Sequence, residues 1–195
     1  MANVGDEQRD ALSRFQAVYE AHYGAVHAYA RRRTADGADV QDAVAETFTV
    51  AWRRIAEVPD DDAAALPWLY GVARRVMANQ RRGNRRRADL TTRLKGQQGA
   101  TIEIESQVVA GDERRMVLAA LARLRGADQE ILRLAVWEEL PHREIARVVG
   151  SSESSVAVRL HRARNRLGRE IGKEDGRIGQ EEREPPGRRA EGQVS

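Results

Sequence analysis

The stretch that decides the reading is residues 140–167, LPHREIARVVGSSESSVAVRLHRARNRL. Pro141 can open a helix, because the first helical N–H has no intrahelical partner to lose. Ile145, Ala146 and Val149 then share one face of a short helix, and Gly150 suits a left-handed stop. Ser151 or Ser152 can cap a second helix, in which Val156, Leu160, Ala163 and Leu167 recur at helical spacing. Ser155, Arg159, Arg162 and Arg166 fall on another face of it. Two short helices, a tight turn and an arginine-lined second helix are what insertion into a DNA major groove requires. Taken alone, the segment leaves a second reading open, an amphipathic hairpin with a solvated basic face.

Working outward, the 195 residues are 41% hydrophobic and 32% charged, with only 5% aromatics, enough for one domain or two small cores. No window approaches the length of a membrane span, so membrane insertion is not expected, and residues 1–10 lack an apolar signal region. The chain has no cysteine, which excludes disulfides and thiolate metal sites and fits a reducing cytoplasm. Lys95 and Lys173 are the only lysines, so arginine supplies nearly all the positive charge. Arginine forks onto phosphate and guanine edges as lysine cannot.

The net charge of +3 conceals a separation. Residues 36–62 carry eight acids against two arginines, and residues 74–87 carry seven arginines and no acid. An acidic surface repels phosphate and is of no use to a chain that needs only DNA. Two kinds of partner follow, one nucleic acid and one not.

The spacing of Leu12, Phe15, Val18, Tyr19, His22, Val26 and Tyr29 predicts a first helix over about 10–33. Asp39 can cap a second, whose stripe is Val40, Val44, Phe48, Ala51, Trp52 and Ile55, with Phe48 and Trp52 read as core. EVPDDD (57–62) reads as a loop, and a third helix from about Leu66 carries Leu69, Val72, Ala73, Val76 and Met77 into the arginine cluster. Residues 89–111 lose all sustained period and read as a flexible linker, within which TIEIES alone alternates like a strand. Periodicity resumes through Val117, Leu121, Leu124 and Ile131, giving about four helices in a second unit. The fold expected is all-α: two small helical domains, 10–88 and 112–170, joined by the linker 89–111, with a disordered tail at 171–195.

Three motifs in this order resemble the short, two-domain extracytoplasmic-function type of bacterial RNA polymerase sigma factor. DVQDAVAETFTVAW (39–52) is similar to the family's acidic helix, PWLYGVARRVMANQRRGNRRR (67–87) to its −10 segment, and SSVAVRLHRAR (154–164) to its −35 reader. The resemblance covers about Phe15 to Leu167. It implies that Asp39, Asp42 and Glu46 dock on the clamp helices of the polymerase β′ subunit. It also implies contacts to the β flap, to duplex and melted promoter DNA, and to an anti-sigma factor. The chain departs from the family pattern at Ala45, where glutamine is common, at Asn79, where aspartate is frequent, and at Ala157, where lysine is frequent.

On residue chemistry, Asp42 and Glu46 are four apart and share a helix face. Two like charges there cost about 0.2–0.5 kcal/mol unless a basic partner neutralises them. The −10 candidates are Trp68, Tyr70, Arg74, Arg75, Asn79, Arg81, Arg82, Arg85 and Arg86, which combine the rings and guanidinium groups that a single strand needs. Trp68 reads equally as a core anchor between helices. The −35 candidates are Ser152, Ser154, Ser155, Arg159, Arg162 and Arg166, at the N-terminal half of a helix whose free N–H groups favour phosphate. Arg166 reads as a contact to phosphate or solvent. His22, His27, His142 and His161 form no metal or triad spacing, and there is no phosphate-binding glycine motif, so neither enzyme nor cofactor is expected. A stand-alone helix-turn-helix regulator would account for residues 140–167 but not for the acidic helix or the separate arginine-ended one.

Overall fold

A computed structural model describes residues 4–34, 36–95 and 111–181. Seven α-helices are present among these residues and no strand. They are α1 (Val4–Arg31), α2 (Gly37–Arg53), α3 (Asp62–Lys95), α4 (Asp112–Ala122), α5 (Gly126–Val136), α6 (His142–Val149) and α7 (Glu153–Glu181), with a 3-10 turn at Ile55–Glu57.

In the first unit α1, α2 and α3 pack pairwise around one core. Val26, Tyr29, Val44, Phe48, Ala51, Leu69 and Val72 are all buried there. Complete burial of a side chain such as Leu69 contributes about 1.5–3 kcal/mol. Thr47, also buried, donates its hydroxyl to the Ala43 carbonyl at 2.6 Å and so leaves no orphaned polar group.

The helix starts differ from the sequence expectation. Asp36, not Asp39, caps α2, its carboxylate accepting from the N–H groups of Ala38 at 2.8 Å and Asp39 at 3.4 Å. Asp39 instead sits inside the first turn, where a negative charge suits the helix dipole. α3 begins at Asp62, a turn before Leu66, because Asp61 accepts from Ala63 N–H at 3.2 Å through its side chain. The acids of EVPDDD thus work partly as a helix start. Pro67 falls inside α3, at the cost of one backbone hydrogen bond near its first turns. Trp52 is 39% exposed and does not belong to the core, whereas Phe48 does.

In the second unit, α4, α5 and α6 pack on α7 or on one another. Leu121, Leu124, Ile131, Leu134, Ile145, Val148, Val156, Leu160 and Ala163 fill its interior. Pro141 is the residue before α6, and Gly150 ends it at φ 67°, the left-handed region that only glycine enters without strain. Ser152 is the cap of α7, accepting the Ser155 N–H at 3.2 Å.

Two stretches read as irregular are helical. α3 continues through residues 89–95, and α7 through 171–181, where Lys173 pairs with Glu170 at 2.7 Å. TIEIES, the rest of the linker from 96 to 110 and the tail from 182 to 195 lie outside the described residues. The two units also touch. α3 packs on α6, and at Gly71 a Cβ would stand 3.8 Å from the Val148 Cα and carbonyl oxygen, so the two backbones cross closely there.

Candidate nucleic-acid interface

The acidic candidates of α2 present themselves outward. Asp42 and Glu46 are exposed and Asp39 is half-buried. Asp42 and Glu46 also line a groove of about 620 Å³ between α2 and α3, with Val72, Arg75 and Asn79 on its opposite wall. The structure therefore brings two of the sequence-predicted polymerase contacts beside two of the −10 candidates.

The −10 candidates separate into three groups. Arg75, Asn79, Arg81, Arg82, Arg85 and Arg86 are exposed along α3. Arg82 donates to the Asn79 side-chain oxygen, and Arg86 Nε reaches the Arg82 carbonyl at 3.4 Å. Trp68 and Arg74 are half-buried, with the Arg54 guanidinium 5.7 Å over the Trp68 ring. Tyr70 is only 3% exposed, stacked on Tyr29 with ring centroids 4.7 Å apart. As the chain stands, no strand reaches Tyr70, which corrects its expected place on an open face.

In α7, Ser152, Ser154, Ser155 and Arg162 are exposed and Arg159 is half-buried, all on the N-terminal half of the helix. Arg166 does not extend into solvent as expected. Its guanidinium is paired with Asp128 of α5, whose side chain is 9% exposed. Asp128 is therefore a buried carboxylate held by Arg166, and Arg166 works as a tie between α5 and α7.

The feature that residue patterns missed lies at the junction of the two units. Arg33, just past α1, donates through Nη1 to Glu138 at 2.9 Å and through Nε to Glu130 at 3.0 Å. Tyr29 donates its hydroxyl to Glu130 at 2.8 Å, and Arg32 pairs with Glu138. The Arg33 guanidinium also lies 3.5 Å from the Tyr29 ring centroid. Arg33 and Glu138 side chains are 4% and 1% exposed. A charge pair so dry gains Coulomb energy but loses hydration, and the two nearly cancel. Some cost is left uncompensated, because Arg33 Nη2, Arg32 Nε and Arg133 Nε are buried without a hydrogen-bond partner. Each such group costs about 1–3 kcal/mol relative to its hydrated form.

The titration of the junction follows from this burial. Desolvation, with the Glu138 carboxylate second, pushes the Tyr70 phenol up to about 12. Desolvation and then Glu130 push Tyr29 up as well. Burial alone would lower Arg33, but Tyr29, Glu130 and Glu138 outweigh it and raise it. Arg133 is lowered by burial and then by the nearby Arg33 charge, with a lesser contribution from Arg81.

Among the described residues no cluster of three metal-binding side chains occurs, and no helix is long and apolar enough to cross a membrane. Residues 18–87 match the model of sigma-70 region 2, and residues 114–167 match that of sigma-70 region 4. The chain is 29% identical over 165 residues to the ECF RNA polymerase sigma factor SigL of Mycobacterium tuberculosis, covering 84% of this chain and 92% of that one. It is 28% identical over 173 residues to the ECF RNA polymerase sigma factor BldN of Streptomyces coelicolor, covering 87% of this chain and 64% of the other. In fold it is similar to the sigma factor RpoE solved with the anti-sigma factor NepR from Bartonella quintana. That match has a TM-score of 0.62 at 20% identity, over 81% of this chain and 96% of that one. CnrH, solved with the cytosolic domain of CnrY, matches with a TM-score of 0.55 at 22% identity, over 82% and 88%.

Proposed function

The chain belongs to the sigma-70 family as a sigma factor of the extracytoplasmic-function type, and on that premise we propose how its surfaces divide the work of starting transcription. It directs core RNA polymerase to promoters and carries no active site of its own, since polymerase supplies the nucleotide chemistry. The unit at 10–88 docks on polymerase and takes the −10 element, 112–170 reads the −35 element, and residues between them serve as the tether.

Asp42 and Glu46, exposed on α2 with Asp39 at its first turn, meet the basic clamp helices of the β′ subunit. Arg75, Asn79, Arg81, Arg82, Arg85 and Arg86 run along α3 as a cationic track for the melted −10 strand. Trp68 and Arg74, half-buried on the same helix, join them, while Tyr70 is buried against Tyr29 and takes no part. The exposed N-terminal half of α7 enters the −35 major groove, where Arg162 and Arg159 reach base edges and Ser152, Ser154 and Ser155 meet the backbone. The second unit also meets the β flap. An anti-sigma protein holds the factor inactive, in line with the anti-sigma factor NepR bound in one solved neighbour. The chain acts in the cytoplasm, where polymerase and promoter are.

The observation that carries this reading is the acidic face of α2 standing exposed beside an arginine track on α3. A DNA-binding regulator has no use for that acidic face. The test is Asp42→Lys with Glu46→Lys. Both side chains are exposed, so helical content and melting temperature stay at parental values while holoenzyme assembly with purified core polymerase is lost. Assembly at parental affinity would remove the docking assignment, and with it the ground for preferring a sigma factor's division of labour.

A further inference from the structure

We propose that α7 selects a thymine in the −35 element through Val158, whose isopropyl group packs on the C5-methyl of the base, and that this contact sets part of the chain's promoter preference. The inference rests on the −35 reading of α7 given above, and adds an apolar contact to its charged ones.

The directions of the side chains on α7 carry the argument. Val156, Leu160 and Ala163 are fully buried and mark the side of the helix that faces the core. At about 100° per residue, Val158 points almost directly away from them. Its neighbours one turn before and after are Ser154, Ser155, His161 and Arg162, and all four are exposed. Three of these, the two serines and Arg162, are DNA contacts in the reading above, so Val158 stands in the middle of that surface. Yet it is apolar and 49% exposed. Valine at an exposed helical position does nothing for the helix, since its branched Cβ makes it a poorer helix former than alanine or arginine.

The polar groups around Val158 have internal uses that it lacks. Ser154 Oγ lies 3.2 Å from Ser152 Oγ, and the Asn165 amide is hydrogen-bonded to His161 Nε2 at 3.1 Å. Arg159, the next residue, is half-buried toward the flank of the helix. What remains at the centre is a small apolar knob. The major groove offers such a knob one matching group, the thymine C5-methyl, whereas purines and cytosine present acceptors or amino donors. Set against Val158, those polar edges would lose water and find no partner. The valine therefore selects thymine twice over, by burying two apolar groups together and by penalising the alternatives.

Uracil pairs as thymine does and differs from it by the methyl group alone, so a uracil scan isolates the contact. Holoenzyme is reconstituted with the parental chain or with Val158→Ala, and its equilibrium binding is measured on a promoter mapped with the parental holoenzyme. Each thymine of the −35 element, on either strand, is replaced singly by deoxyuridine. One replacement is expected to weaken parental binding about fourfold, the worth of one buried methyl group. In the Val158→Ala holoenzyme that loss largely disappears, and the unmodified promoter is held several-fold more weakly than by the parent. At the same base pair, cytosine in place of thymine weakens parental binding, and 5-methylcytosine recovers about fourfold of it. Circular dichroism and the unfolding midpoint check that the variant stays folded, as alanine at an exposed helical position should. No methyl-sensitive thymine, or a methyl effect of equal size in parent and variant, overturns the role of Val158. The −35 reading is scored separately, on a promoter whose −35 element is scrambled. Undiminished parental binding there sinks that reading, whereas binding lost on scrambling but indifferent to every methyl sinks the valine contact alone.

Discussion

Replacing Arg166 by alanine distinguishes a residue that holds the second unit together from one that touches DNA. The Arg166 guanidinium is paired with Asp128, whose side chain is 9% exposed, while Arg166 itself is 36% exposed. Removing one partner of a fully buried ion pair costs about 3–5 kcal/mol. Here one partner is a third exposed, so water screens part of the interaction and the orphaned carboxylate sets the scale, about 1–3 kcal/mol. Asp128 also lies in the first turn of α5, where the helix dipole returns up to about 1 kcal/mol of stabilisation to an unpaired carboxylate. The net cost is roughly 1–2 kcal/mol, which for a chain of this size lowers the melting temperature by about 2–8 °C. Asp128→Asn should cost less, because an amide needs no counter-charge. The double variant should cost less than the sum of the singles, the mark of a direct pair. The assay is urea unfolding of the full chain by circular dichroism, run beside duplex affinity at several salt concentrations. An unchanged unfolding midpoint, with affinity reduced on every duplex and a salt slope lowered by about one, would make Arg166 a phosphate contact and refute the reasoning.

Arg162→Ala should behave in the opposite way, leaving the unfolding midpoint in place while costing about 1–3 kcal/mol on the preferred −35 duplex and much less on scrambled DNA, read by anisotropy titration. Asp36→Ala should cost about 0.5–2 kcal/mol as the loss of the α2 cap, and Asp39→Ala distinctly less, in parallel urea titrations. Tyr70 gives a pH dependence. Its folded phenol titrates at about 12, above the unfolded value near 10, because burial favours the neutral form. Stability from this group is therefore complete below about pH 10 and falls as pH rises from there toward 12, since the unfolded chain loses the proton first. The difference in 295 nm absorbance between the parent and Tyr70→Phe should show that proton retained at pH about 11 in the native protein and lost in denaturant.

What was legible in the sequence is what repeats at short range. The stripes of Val40, Val44 and Phe48 and of Val156, Leu160 and Ala163 each fold back on their own helix within a turn, so spacing alone assigned them to cores, and burial agrees. The Gly150 turn was legible because only one backbone conformation closes it, and its φ of 67° is that conformation. Helix ends were less legible, since caps compete locally. Asp36 and Asp39 are both able to cap, and the choice falls to the residue whose carboxylate reaches the free N–H groups. The same composition in EVPDDD suits a loop and a helix start alike.

The junction was illegible for a different reason. Arg33 is separated from Glu130 by 97 residues and from Glu138 by 105, so no local pattern links them. By its local sequence Arg33 is the basic end of a helix, a place where arginine suits the dipole and needs no partner. Only the fold shows that its side chain is 4% exposed and tied to the other unit. Tyr70 was misplaced by the same omission: an aromatic amid arginines suits single-strand stacking, and its chemistry says nothing of what packs above it. The two facts belong together. A residue chosen for holding a melted strand is apolar on its face and polar at its tip, and so is a residue suited to a covered, half-charged junction. The chemistry of Tyr70 fits either setting, and only the Tyr29 ring stacked on it, 4.7 Å between centroids, decides for the covered one.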